Sequence, residues 1–170
     1  MANLLHPRLS ALVLLVASAA VLGSALMSQY IGDLEPCVLC VYQRVPYAAA
    51  ISFAFVGLMM SGSHRAVAAV HCLATVAFLI GAAIAAYHVG VEQQWWAGTT
   101  ECTGAAGSSA QSVDELRAQI MSAPTIRCDE VAWSLFGISM AGYNFLVSLV
   151  LAAFAVMAAR ANFQRETRSK

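Results

Sequence analysis

Residues 9–27, Leu-Ser-Ala-Leu-Val-Leu-Leu-Val-Ala-Ser-Ala-Ala-Val-Leu-Gly-Ser-Ala-Leu-Met, form an apolar run that only serines and one glycine interrupt. A transmembrane helix needs about 20 consecutive apolar residues, so this run is long enough to cross a bilayer. The whole chain has the same character, because 60% of its 170 residues are hydrophobic, 11% are charged and the mean hydropathy is +0.71. This composition excludes an ordinary soluble domain and indicates an integral membrane protein.

Three further apolar segments have the length of a membrane span, and they lie at about residues 42–60, 66–88 and 135–159. Together with the first run, they predict an all-α membrane protein in which the whole chain is one domain, an up-down bundle of four transmembrane helices. Two connections, residues 28–41 and 89–134, join the spans on one side of the membrane. The second of them is far longer than a simple turn.

The orientation of the bundle follows from its basic residues. Ala17-Ser18-Ala19 resembles a signal-peptidase site, but the apolar run continues past it to Met27, so we predict an uncleaved anchor. Cytoplasmic segments carry an excess of Lys and Arg, which predicts cytoplasmic termini and exported connections. Six basic residues then lie on the cytoplasmic side and three on the other: Arg8, Arg65, Arg160, Arg165, Arg168 and Lys170, against Arg44, Arg117 and Arg127. The formal net charge is zero and predicts no nucleic-acid partner, so the lipid bilayer is the partner that composition indicates.

Four of the five cysteines lie in the two connections predicted to be exported, where disulfides form and persist. They are Cys37 and Cys40 in the first connection and Cys102 and Cys128 in the second. The fifth, Cys72, lies inside the third apolar segment. We predict that it is a small buried hydrophobic side chain with no role in chemistry.

Cys37 and Cys40 belong to the sequence Glu-Pro-Cys-Val-Leu-Cys-Val-Tyr-Gln-Arg at residues 35–44. Cys40 should lie near the positive end of the second helix, and Arg44 follows four residues later on the same face. Both features favour the thiolate, which is the nucleophilic form of cysteine. If the helix begins this early, Pro46 should kink it. The pattern therefore predicts a reactive pair with Cys40 as its thiolate.

The longer connection is predicted to contain a short amphipathic helix on the membrane surface. Ser112 and Glu115 have the spacing of a capping box, and Val113, Leu116 and Ile120 form an apolar stripe at helical spacing. Pro124 should end this helix. The residues before it, 103–110, are rich in Gly, Ala and Ser and are predicted to be mobile.

The four exported cysteines have two possible roles other than redox chemistry. A tetrahedral zinc site is disfavoured because 25 residues separate Cys102 from Cys128 and neither connection contains a histidine. We therefore predict no metal site. The other alternative is a structural four-helix membrane scaffold whose loops are stapled by disulfides. A staple does not need a thiol activated by a helix start and an arginine, so the placement of Cys37 and Cys40 favours catalysis.

Thiol exchange between the two cysteine pairs is the reading that remains. The longer connection could react with an external protein and pass its reducing equivalents to the first pair. Continued turnover requires an electron acceptor, and a pair at the membrane surface could use a lipid-soluble quinone. Arg44 could stabilise negative charge on a quinone oxygen, and His88, at the exported end of the third segment, could hydrogen-bond to the second carbonyl.

These residues, the four-span pattern and Trp-Ser-Leu-Phe-Gly-Ile-Ser-Met-Ala at 133–141 together resemble the bacterial disulfide bond formation protein B (DsbB) family. The resemblance spans essentially the whole chain. It implies an enzyme of the bacterial inner membrane that reoxidises a periplasmic, DsbA-like thioredoxin-fold oxidase. It also implies that the electrons pass to a membrane quinone, either ubiquinone or menaquinone.

The same resemblance implies a role for each site residue. Cys102 would form the mixed disulfide with the partner, and Cys128 would exchange with Cys37. Cys40 would face the quinone, with Arg44 and His88 as the residues that bind it.

Overall fold

The structure is a computed structural model that describes residues 5–103, 112–122 and 126–168. Its elements, in chain order, are α1 (Pro7–Tyr30), α2 (Val38–Tyr42), α3 (Arg44–Met59), α4 (His64–Glu92), α5 (Thr100–Thr103), α6 (Val113–Ser122), β1 (Ser134–Leu135), β2 (Ile138–Ser139) and α7 (Met140–Arg168). The two short strands pair antiparallel as a hairpin.

Four helical segments are long and apolar enough to cross a membrane: α1, the α2–α3 unit (Val38–Met59), α4 and α7. The first packs on α3, α3 packs on α4, and α4 packs on α7. Contact between α1 and α7 is much less extensive. The prediction of an all-α protein with four membrane helices is confirmed.

The centre of the bundle is filled by a few large side chains among many alanines. Tyr47 and Phe78 meet edge to edge with their ring centroids 5.9 Å apart, and both are almost fully buried. Close approach of the helices depends on small residues. A Cβ atom at Gly81 would lie 3.3 Å from Pro46 Cβ and 3.5 Å from Ser148 Oγ. Small residues therefore bring α3 and α7 close to α4, as membrane helices require.

The second span begins earlier than predicted and is interrupted. Its first helix, α2, starts at Val38 rather than at residue 42 and ends at Tyr42, and α3 begins at Arg44 after the single residue Gln43. Pro46 has no N–H to donate to the Tyr42 carbonyl, so an uninterrupted helix would lose that bond. The interruption confirms the kink expected from Pro46.

The first and third spans extend beyond the predicted limits of 9–27 and 66–88. Pro7 occupies the first turn of α1, where its missing N–H costs nothing. The third span, α4, begins after Ser63, whose Oγ accepts a hydrogen bond from Ala66 N at 3.3 Å. The apolar run thus marks only the membrane core of each helix, and polar or capping residues at its ends continue it.

The predicted fourth span, 135–159, is wrong at both ends. Leu135 belongs to the hairpin, whose turn residues Phe136 and Gly137 have φ angles of 51° and 79°, so a right-handed helix cannot pass through them. The last helix starts at Met140, after Ser139 Oγ accepts a hydrogen bond from Gly142 N at 3.1 Å. Beyond the apolar run, the basic tail remains helical as far as Arg168.

The predicted short helix of the longer connection is present as α6. Glu115 N donates to Ser112 Oγ at 3.2 Å, which confirms the predicted N-cap. The side chains of Leu116 and Ile120, together with residues 104–110 and Pro124, lie outside the part that the structure describes. The predictions for that stripe, that mobile stretch and that helix end therefore stay predictions.

Cys72 is exposed on the outer face of α4 and is not buried in the bundle. The preceding residue, His71, is fully buried instead. An apolar run that is hydrophobic on every side does not reveal which face packs inward, and this explains the wrong prediction. In a membrane, Cys72 faces lipid.

Candidate functional site

Cys37 and Cys40 occupy the first turn of α2, and their sulfur atoms are 2.9 Å apart. Cys37 is the N-cap residue, and its Sγ accepts a hydrogen bond from the backbone N–H of Cys40 at 3.3 Å. Free N–H groups at a helix start favour negative charge. The local fold therefore places a sulfur atom where an anion is stabilised.

The stabilised thiolate is on Cys37. Its hydrogen bond with the Cys40 thiol, assisted by His88, lowers the Cys37 pKa to about 4, although burial acts in the opposite direction. The sequence predicted the thiolate at Cys40, because that residue precedes Arg44 by one turn. The geometry favours Cys37 instead, because a helix N–H group and His88 lie at its sulfur.

His88 lies beside this thiolate at the end of α4. Its Nε2 atom is 3.6 Å from Cys37 Sγ and 3.9 Å from Glu92 Oε1, and its Nδ1 atom is 2.8 Å from Gln43 Nε2. Ser139 Oγ donates a short hydrogen bond to the other oxygen of Glu92. The histidine ring is only 3% exposed, so these polar partners largely replace water around it.

Cys102 and Cys128 form a disulfide, and both residues are fully buried. The backbone N–H of Cys128 also donates to the Cys102 carbonyl at 3.1 Å. Cys37 belongs to the same buried apolar cluster, in which Leu39 and Val91 are the other fully packed members. The structure thus brings together all four cysteines that the sequence selected.

Three possible metal ligands also meet here, since donor atoms of Cys37, Cys40 and His88 all lie within 4.8 Å of one another. The sequence argument against a metal missed this histidine because it lies at a helix end, one residue before the connection. The Gln43 amide N–H₂ faces Nδ1 of His88, so the neutral ring carries its proton on Nε2. In this arrangement Nε2 is a hydrogen-bond donor toward the thiol and does not offer a lone pair to a metal.

A cavity of about 620 Å³ lies next to the pair, between α1, α3, the hairpin and α7. This volume is within the usual range for small-molecule sites, about 300–1,000 Å³. Its wall is largely apolar, with contributions from Val21, Leu22, Val147 and Trp133. Cys40 is the cysteine that lines it. Both cysteines line a second, small cavity of about 40 Å³ that reaches Ile126 and Arg127, next to Cys128, and Cys37 lines only this one of the two.

Arg44 and His88 both line the larger cavity, as the sequence predicted for residues that bind one ligand. Arg44 Nη1 donates to Gln29 Oε1 on α1 at 2.6 Å. Sequence reasoning missed Gln29, because no local pattern connects residues 15 positions apart. It also missed Glu92, although that residue is four positions after His88 and therefore on the same helical face.

Comparisons with known proteins agree on one family. Residues 7–158 match the family described as disulfide bond formation protein DsbB. The chain is 30% identical to disulfide bond formation protein B of Methylococcus capsulatus, over 82% of this chain and 85% of the relative. It is 28% identical to the protein of that name from Methylobacillus flagellatus, over 85% and 87% of the two chains. Disulfide bond formation protein B 1 of Pseudomonas syringae is 42% identical, over 46% of each chain.

Proposed function

The chain belongs to the disulfide bond formation protein B (DsbB) family, and we propose on this basis that it reoxidises a periplasmic thioredoxin-fold oxidase and passes the electrons to a membrane quinone. Family membership makes it a multi-pass membrane thiol-disulfide oxidoreductase, and this argues against a purely structural scaffold. The observation that carries the proposal is the position of Cys37 and Cys40. They lie between a buried disulfide on one side and a largely apolar cavity on the other.

Electrons would move by two successive disulfide exchanges. The partner dithiol reduces the Cys102–Cys128 disulfide and becomes a disulfide itself. The resulting Cys102 and Cys128 thiols then reduce a Cys37–Cys40 disulfide and close their own bond again. Each exchange moves two electrons and leaves one disulfide and one dithiol. The structure, with Cys102–Cys128 closed and the first pair as thiols, corresponds to the product of the second exchange.

Geometry supports a division of roles between the cysteines. Cys37 lines the small cavity next to Cys128, so it is placed to receive the attack of the Cys128 thiolate. Cys40 would then leave as a thiolate on the side of the larger cavity. Cys102 takes the mixed disulfide with the partner. Because Cys102 is fully buried in the closed state, we infer that the segment around it moves when the partner binds.

The residues around the larger cavity fit a quinone. An apolar wall suits a prenylated ring, and Arg44 and His88 supply hydrogen-bond donors beside the Cys40 thiol. A quinone bound there would accept two electrons and two protons from the dithiol. The chain contributes a fixed cation at Arg44, held by Gln29.

The exported side is proposed to be the end of the bundle that contains the four cysteines. The opposite end is marked by Arg8 Nε, which donates to Ser61 Oγ at 3.0 Å, and by Arg165 Nη1, which donates to the Leu5 carbonyl at 2.7 Å. This end gathers the start of α1, the end of α7 and the turn between α3 and α4. Its basic residues support a cytoplasmic location, with the active connections in the periplasm of a bacterial inner membrane.

A purified-component assay tests the proposal. The full-length protein is mixed with a reduced thioredoxin-fold dithiol protein and ubiquinone or menaquinone, and quinone reduction is followed by absorbance. We expect catalytic reduction that Cys40→Ser abolishes and that the matched Cys72→Ser variant retains. Absence of quinone reduction with any thioredoxin-fold dithiol, while the protein remains folded, would overturn the proposal.

A further inference from the structure

A continuous chain of side-chain hydrogen bonds connects the middle of the bundle with Cys37. Tyr47 Oη donates to Asn144 Oδ1 at 2.6 Å, and Asn144 Nδ2 donates to Gln43 Oε1 at 2.5 Å. Gln43 Nε2 then lies 2.8 Å from His88 Nδ1, and His88 Nε2 lies 3.6 Å from Cys37 Sγ. The first three links join α7 to α2–α3 and α4, so tertiary packing holds them in place.

This series of hydrogen bonds runs in one direction, from donor to acceptor. Tyr47 Oη lies 2.6 Å from Asn144 Oδ1 and 2.8 Å from Ser148 Oγ; because an amide oxygen only accepts, Tyr47 donates to Asn144 and accepts from Ser148. The nitrogen of the Asn144 amide faces Gln43 and must donate. The same reasoning turns the Gln43 amide nitrogen toward His88. An amide nitrogen cannot accept a hydrogen bond, so His88 Nδ1 is unprotonated and its ring proton is on Nε2.

Burial makes this direction hard to change. Tyr47 is 2% exposed, Gln43 is 6% exposed and His88 is 3% exposed. At these three positions water has little access to supply alternative donors, and hydrogen bonds in such surroundings are stronger than at a surface. Asn144 is half-buried and lines the larger cavity. A second acceptor for the Nε2 proton lies nearby at Glu92 Oε1, 3.9 Å away.

We propose that Tyr47, Asn144 and Gln43 are positioning residues that fix His88 as its Nε2–H tautomer, so that the ring donates to the Cys37 thiolate. The proposal rests on the proposed function only in that Cys37 belongs to the same reactive pair. All three also line the larger cavity, so their effect on the thiol has to be measured without a quinone. Their effect reaches the thiol through the proton that His88 carries.

The charge of Cys37 is also influenced by the other groups that face it. The Cys40 sulfur lies 2.9 Å from the Cys37 sulfur on α2, and Glu92 faces the His88 ring on α4. Glu35, Arg127 and Glu130 line the adjoining small cavity. A valid test must therefore reverse the donors and acceptors between Asn144 and His88 without altering these groups.

Asn144→Asp makes such a change with an almost isosteric side chain. A carboxylate only accepts hydrogen bonds, so the Gln43 amide must turn its nitrogen toward position 144 and its oxygen toward His88. The ring proton then moves to Nδ1, and Nε2 presents a lone pair to the Cys37 sulfur. Asn162→Asp is the matched control, because Asn162 is a fully buried asparagine of the same helix that bonds only locally, to the Ala158 carbonyl at 2.8 Å.

The experiment uses the reduced full-length protein in detergent, with the loop disulfide intact. Nitrogen-15 NMR of labelled histidine reports the tautomer of His88, assigned by comparison with His88→Gln. Mass spectrometry of the Cys37 peptide gives the pH midpoint of its alkylation. We expect Nε2–H in the parent protein, Nδ1–H in Asn144→Asp, and a midpoint higher by about one pH unit or more in that variant alone.

Gln43→Leu provides a second variant if Asn144→Asp does not fold. It removes the donor to Nδ1, and we expect a smaller rise of the same midpoint. An Nδ1–H tautomer in the parent protein, or a midpoint that neither variant moves, would overturn the proposal. Neither measurement contains a quinone or a partner. The positioning role can therefore be disproved while quinone reduction persists. Equally, quinone reduction can be absent while the positioning role is supported.

Discussion

The chemistry of the site is set by one residue, Cys37, which is both a thiol and a helix cap. A capping side chain accepts a hydrogen bond from a free N–H group at the helix start. When the cap is a thiol, the same contact favours the thiolate and lowers the pKa of the thiol. Cys37 Sγ accepts from the N–H of Cys40 and lies close to His88 Nε2. The position that starts the helix is thus also the position that holds the charge.

This electrostatic environment predicts the pH dependence of Cys37 alkylation. The Cys37 pKa is lowered to about 4, so the thiolate is present above that pH and protonates below it. The alkylation rate of the reduced protein should stay nearly constant from about pH 6 to 8 and fall as the pH decreases through about 4. Peptide mass spectrometry after timed alkylation measures this. A midpoint near 8.5, the value of an ordinary thiol, would contradict the stabilisation by Cys40 and His88.

Much of this site was predictable from the sequence, but its electrostatics were not. The spacing of Cys37 and Cys40, and the following Arg44, selected the reactive pair. Which thiol is ionised depends on the exact cap position and on His88, which is 51 residues away from Cys37. Contacts across helices, such as Gln29 with Arg44, leave no local pattern and become visible only in three dimensions.

Arg44 provides a second prediction at this scale. Arg44→Lys keeps the charge but loses the planar fork, and Arg44→Met loses both. A hydrogen bond to a charged group contributes about 1.5–3 kcal/mol, so Arg44→Met should raise the quinone KM by about tenfold or more, and Arg44→Lys by less. Steady-state quinone kinetics measure both. Arg8→Met is the matched control because Arg8 lies at the other end of the bundle, and an unchanged KM in Arg44→Met would place the quinone elsewhere.

At the level of elements, apolar length predicted each membrane helix but not its ends. The clearest failure is the start of α7, where an apolar stretch forms a hairpin. Phe136 and Gly137 both have positive φ, and Ser139 caps the helix that follows. A Phe-Gly pair followed by a serine is a turn signal in retrospect, but the hydropathy of Leu135 and Phe136 conceals it. The consequence is functional, because the hairpin brings Ser139 to Glu92.

The end of α4 that lies near the cysteine pairs is shaped by the packing of Trp96 against Gly90. A Cβ atom at position 90 would lie 2.0 Å from Cζ2 of Trp96, whose ring stacks on Tyr87 at 6.0 Å and donates from Nε1 to the Tyr87 carbonyl at 3.0 Å. Gly90→Ala should therefore expel the indole and destabilise the protein by about 1–3 kcal/mol. Thermal unfolding and tryptophan fluorescence measure the effect.

Gly23→Ala is the control for this substitution, because no atom lies within 4 Å of a Cβ built at position 23. In the helix α1, alanine is intrinsically the better helix former, so Gly23→Ala should be neutral or stabilising. Equal unfolding temperatures for the two variants would show that Trp96 does not occupy the space above Gly90.

At the scale of the whole molecule, the bundle separates two ends of different chemistry. The two cysteine pairs and their polar partners occupy one end, and the arginines that contact Ser61 and Leu5 occupy the other. A membrane enzyme that exchanges disulfides with a soluble protein must present its reactive end to an oxidising compartment. The basic residues and the cysteine pairs thus lie at opposite ends of the bundle, as such an enzyme requires.

This arrangement predicts the labelling pattern of intact cells. A membrane-impermeant thiol reagent applied after mild reduction should label the two cysteine pairs, because all four of their sulfur atoms lie at the end that we propose to be exported. Without reduction, Cys102 and Cys128 should stay unlabelled, since they are joined in a disulfide and fully buried. Cys72 is exposed only toward lipid and should resist a charged reagent under both conditions. Labelling of the pairs only after permeabilisation would invert the proposed topology, and with it the compartment in which the partner must be found.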